Sequence, residues 1–95
     1  FLLNPDDPLL RRELSQLLVN TGSALIAKRD YQSASECLNR AAWLEPNSTE
    51  PLFQLAKLQL DIGQTNSAVG ILKGVLKLKP NNVMARRMID KLEKK

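Results

Sequence analysis

The chain has 95 residues, 43% of them hydrophobic and 25% charged, with a formal net charge of +4. That apolar content excludes disorder, and no apolar run nears the roughly 18 residues that a membrane span needs. With no histidine and a single cysteine, Cys37, the sequence excludes an internal disulfide, a zinc site, histidine acid–base chemistry and Cys–His nucleophilic pairs. No glycine-rich phosphate loop is present. The residues therefore point away from an enzyme and call for no cofactor or metal. The chain opens at Phe1 with no signal-peptide pattern, and reads as a segment of a longer protein. One cysteine suits a reducing compartment or an organelle interior, and the compartment stays open.

In chain order, Leu3-Asn4-Pro5 reads either as the tail of an upstream helical unit, over residues 1–7, or as a frayed end. Asp6 or Asp7 then caps a helix that Pro8 opens and that runs to about Lys28. Its apolar residues Leu14, Leu17, Leu18, Leu25 and Ile26 recur at helical intervals. Arg29-Asp30 break the pattern as a tight turn. Ala34, Leu38, Ala41 and Leu44 mark a second helix that Pro46 stops, and Asn47-Ser48 offer capping oxygens to the next. Leu52, Leu55, Ala56 and Leu60 mark a third helix, with Gly63-Gln64 as its turn. Ala68, Leu72, Val75 and Leu78 mark a fourth, stopped by Pro80 and followed by Asn81-Asn82. From Val83 a fifth helix carries Met84, Met88, Ile89 and Leu92 on one side. Small residues at Gly22, Ala34, Ala41, Ala56 and Ala68 would let antiparallel helices approach closely.

A shift of 34 residues lays the chain on itself, pairing Leu18 with Leu52, Ala34 with Ala68, Leu38 with Leu72, Leu44 with Leu78 and Pro46 with Pro80. A period of that size signals stacked supersecondary units. Pro5 and Pro46 are 41 residues apart, an excess of about two helical turns that lengthens the first helix.

The chain thus resembles the tetratricopeptide repeat family. The resemblance rests on Leu18, Gly22, Leu25, Tyr31, Ala34, Leu38, Ala41 and Pro46 in one unit. In the next it rests on Leu52, Leu55, Ala56, Gly63, Ala68, Leu72 and Pro80. Thr21 and Gln59 depart from the usual aliphatic and aromatic or leucine. The fold implied is all-α, an antiparallel helix-hairpin array of about five helices. Residues 8–48 form one unit with a lengthened first helix, 49–82 a second, and 83–95 a capping helix.

The resemblance implies a concave groove lined by the first helix of each unit, holding a peptide or helix of a partner protein. The contact set implied is Gln16, Val19, Asn20 and Ser23 with Glu50, Phe53, Gln54 and Lys57, and Arg87 and Lys91 on the capping helix. Phe53 follows the packing Leu52 and is expected to face the groove, or else to cover a neighbouring helix. Aromatic and arginine residues are the usual anchors. One subgroup of the family clamps acidic C-terminal tails of heat-shock chaperones with lysines, asparagines and an arginine. Here Val19, Ser23, Gln54, Met84 and Met88 stand in those places, which implies a more apolar ligand. Trp43 is a second candidate contact, or folds back over Pro46. Cys37 reads as a space-filling apolar residue. Gly70-x-x-x-Gly74 suggests close helix approach or an easily frayed helix.

Residues 1–50 carry net −2 (five basic, seven acidic) and residues 51–95 net +6 (nine basic, three acidic). Such a field favours acidic groups on a partner. The reading is a protein-binding scaffold or adaptor segment with no catalysis of its own. Self-association is the alternative, and an RNA-binding helical repeat the second, against which the scattered aromatics weigh.

Overall fold

The computed structural model describes residues 7–93. The upstream-tail reading of Leu3-Asn4-Pro5, and Asp6 as a cap, lie outside them. The described residues fold into α1 (Pro8–Ala27), α2 (Tyr31–Leu44), α3 (Glu50–Asp61), α4 (Thr65–Leu78) and α5 (Val83–Glu93). They divide into two compact units with the boundary between Asn47 and Ser48.

The helix ends follow local chemistry. The Asp7 carboxylate accepts the Leu9 N–H at 2.9 Å and the Leu10 N–H at 3.5 Å, with Pro8 in the first turn. Asp30 caps α2 by accepting the Ser33 N–H, and the Asn82 side chain accepts the Ala85 N–H at 2.9 Å to start α5. Thr49, rather than Asn47 or Ser48, is the N-cap of α3 and makes no side-chain cap bond.

Both inner turns close in the same way. Arg29 N–H donates to the Ile26 carbonyl and Asp30 N–H to that of Leu25. Gly63 and Gln64 do the same onto Leu60 and Gln59. Each is a Schellman closure, which needs one left-handed residue: Arg29 at φ +65° and Gly63 at φ +82°. A side chain there costs about 1 kcal/mol relative to glycine. We expect Arg29→Gly to raise the urea midpoint, and Gly63→Ala, whose Cβ would meet nothing within 4 Å, to lower it by a similar amount. Shifts of the same sign would remove the strain argument.

In the first unit α1 and α2 pack antiparallel. Ser15 sits against Ala41, through a 3.2 Å hydrogen bond from its hydroxyl to the Ala41 carbonyl, and Gly22 sits against Leu38 and Ala34. Ala34, Leu38 and Ala41 are fully buried. The inward face of α1 is Ser15, Val19 and Gly22, not the leucine stripe that periodicity suggests; Leu14 and Leu17 point outward. In the second unit Ala56, Ala68, Leu72, Val75, Ala85 and Ile89 form the core, with Leu52, Phe53, Val69, Met88 and Leu92 packed against it. Met84 departs from the expected α5 stripe and is exposed, and Leu78 is partly so. A Cβ at Gly70 or Gly74 would meet nothing within 4 Å, so the expected close approach there does not occur.

Candidate functional site

In the first unit, Gln16, Asn20 and Ser23 are exposed on one side of α1. Gln16 donates an amide hydrogen bond to the Asn20 side chain at 3.1 Å. Val19 does not join them. At 2% exposure it belongs to the core, because it stands four residues after Ser15 and three before Gly22 on the inward face. As the structure stands, it is closed to a ligand.

In the second unit, Glu50 and Lys57 of α3 are exposed and Gln54 is half-buried. Phe53 is also half-buried and packs against the core cluster. The expectation that it turns away from the interior is corrected: Phe53 covers its neighbours, and only part of its ring is left to solvent. On α5, Ala85 and Ile89 point inward, so Arg87 and Lys91 project outward together with Met84. Four residues apart, Arg87 and Lys91 share one helix face and present two cations to solvent.

Sequence reading missed Val83 and Arg86. Beside Arg87 they line a shallow depression of about 430 Å³ with Pro80, Asn82 and Asp90. Val83 is 63% exposed and Met84 65%, an apolar start to an otherwise basic face. Both fall in the first turn of α5, ahead of the inward Ala85, and that placement follows once the helix start at Asn82 is known.

Trp43 is 77% exposed on α2, which settles its alternatives in favour of an outward indole. Cys37 is a half-buried free thiol. Among the described residues, no group of three or more Cys, Asp or Glu side chains is placed to hold a metal ion. No described helix is long and apolar enough to cross a membrane.

A family model described as tetratricopeptide repeat matches residues 25–92. Among solved structures, the chain is similar to the NMR structure of the second TPR domain of the human RPAP3 protein in complex with the HSP70 peptide SGPTIEEVD. The TM-score is 0.73 at 23% identity, over 85% of this chain and 68% of that chain. At that identity the likeness speaks to the fold.

Proposed function

The chain belongs to the tetratricopeptide repeat family, and on that premise we propose that it is a non-catalytic protein-interaction module that holds a peptide or helix of a partner protein. Residues 8–48 and 49–82 act as its repeat units and 83–95 as a capping helix. The contact residues are Gln16, Asn20 and Ser23 on α1, Glu50, Gln54 and Lys57 on α3, and Arg87 and Lys91 on α5, with the free edge of Phe53 as a lesser contact. One observation carries the reading. The helices spend their small and apolar faces on packing and leave outward faces that on α5 combine Val83 and Met84 with Arg87 and Lys91. Such a face suits a ligand with an apolar residue flanked by carboxylates.

The similar RPAP3 domain was solved with a chaperone peptide, which supports a protein ligand here. A purely acidic tail is a poor fit, since Val19 is buried and Met84 stands where a basic residue would be needed. An RNA ligand is disfavoured as well. Phe53, the aromatic on the basic half of the chain, is committed to the core and offers no open ring for base stacking.

The test immobilises the 95-residue chain and captures partners from nuclease-treated lysate, alongside a Lys57→Glu, Arg87→Glu, Lys91→Glu variant. All three positions are exposed, so the helical circular dichroism should not change. We expect the captured partner to bind the variant at least roughly tenfold more weakly, about 1.4 kcal/mol. Equal retention by both would move the contact to the Trp43 face of α2, and capture seen from untreated lysate but lost after nuclease treatment would replace the protein ligand by RNA.

A further inference from the structure

We propose that the outward face of α1 is a self-complementary seam through which two copies of this chain pair as an antiparallel dimer. This lies beyond the partner-binding reading and uses a different side of the helix from Gln16, Asn20 and Ser23. Leu10, Leu14, Leu17, Thr21 and Ala24 follow one another at intervals of four, three, four and three residues, and Lys28 comes four later. That is the heptad spacing of a helix that accepts a second helix along its length. The seam lies roughly 150° round from Ser15, Val19 and Gly22, at about 100° per residue, so α2 cannot cover it. Leu17 is 61% exposed and Leu14 36%; Leu10 is half-buried, and Thr21 and Ala24 are exposed. Leucines left open along one stripe make a contiguous apolar patch that the hairpin does not bury, which is the mark of an interaction surface.

The seam's own residues identify the occupant. An antiparallel copy aligns Leu14 with Ala24 of the other chain and Leu17 with Thr21, so that each of these two leucines faces a small residue, twice over about the dyad. The same register lays Lys28 across Leu10 of the other copy. Its stem covers that leucine while its ammonium reaches toward Glu13, giving two symmetric pairs of opposite charge. The parallel alternative sets Lys28 against Lys28 and Ala24 against Ala24, joining like charges and leaving a gap. Size and charge therefore both select the antiparallel copy.

Sedimentation of the 95-residue chain tests this. The expected result is a mass that rises with concentration from 10.6 kDa toward twice that value. Leu17→Glu places carboxylates beside the dyad at an exposed position. It should keep the helical signal and weaken association at least tenfold. Lys28→Glu and Glu13→Lys should each weaken it roughly fivefold, and the two combined should restore it. A wild-type chain that stays at 10.6 kDa up to about 1 mM overturns the proposal. So does a dimer that Leu17→Glu leaves intact, or a double charge swap that fails to recover association. Equal retention of a captured partner by the wild type and the Lys57→Glu, Arg87→Glu, Lys91→Glu variant, with the dimer unchanged, would count against the partner-binding reading alone.

Discussion

Leu72→Ala is expected to cost about 2–5 kcal/mol, the largest loss from any single truncation in the second unit. Leu72 is 0% exposed and sits between Ala68 and Val75 in the cluster that α5 completes with Ala85 and Ile89. Its neighbours cannot collapse into the space it leaves. Three of them, Ala56, Ala68 and Ala85, carry a single methyl group that cannot swing into a void, and Val75 is β-branched and stiff at χ1. The cavity term should therefore appear nearly in full. A unit of this size commands only about 2–7 kcal/mol of stability, so the variant should be largely unfolded or close to it at 37 °C. Leu78→Ala is the control, being the same substitution in the same helix. Leu78 lies at the end of α4 and is 36% exposed, so its loss should cost less than about 1.5 kcal/mol, in line with partial burial. Urea midpoints of the two variants decide the matter. Equal shifts would mean that helix propensity, and not burial, governs α4.

That contrast also shows why some of the fold could be read from sequence and some could not. In α2 and α4 the buried centres are Ala34, Leu38 and Ala41, and Ala68, Leu72 and Val75, all at 0% exposure. Each is a set of apolar residues at intervals of three and four, so periodicity finds it. The left-handed turn at Gly63 and the stops before Pro46 and Pro80 are equally plain, because glycine and proline act through local backbone geometry, whereas the turn at Arg29 shows only as a break in the apolar pattern. In α1 the signal misleads. Its inward face is Ser15, Val19 and Gly22, chosen for smallness and for one satisfied hydroxyl, and hydropathy gives little weight to such residues. The leucines that hydropathy does weigh, Leu14 and Leu17, stand on the outward face. A reading that sends them inward turns the helix, and so counts Val19 as a ligand contact. Phe53 is missed for another reason. Phe53 packs against a cluster that α3, α4 and α5 assemble together, a tertiary fact with no local marker. Arg87 and Lys91 were legible because α5 is amphipathic enough to fix its own outward face. The small-residue logic of α1 also makes the second large effect testable.

Gly22→Ala and Leu38→Ala are each expected to destabilise the first unit, and together to cost less than their sum. A Cβ on Gly22 would lie 2.8 Å from Cγ of Leu38 and 2.9 Å from its Cδ2, with the Ala34 carbonyl oxygen at 3.4 Å. Leu38 is 0% exposed, so it has nowhere to retreat without disturbing α2. The overpacking should cost about 1–3 kcal/mol, against which alanine in mid-helix returns about 1 kcal/mol over glycine. Leu38→Ala alone removes a buried side chain and leaves a cavity, at about 2–5 kcal/mol. With Leu38 truncated, the clash that opposes a methyl group at position 22 is gone, and that methyl group fills part of the void. In that background Gly22→Ala should stabilise, by roughly the propensity gain plus part of the cavity term. The coupling between the two sites should then be about 1–3 kcal/mol and favourable, within the range found for residues in contact. Urea midpoints of the wild type, the two single variants and the double variant complete the cycle. Strict additivity would mean that α1 and α2 can move apart without loss. In that case Gly22 is not what sets their separation, and the hydrogen bond from Ser15 to Ala41 becomes the feature that holds them in register.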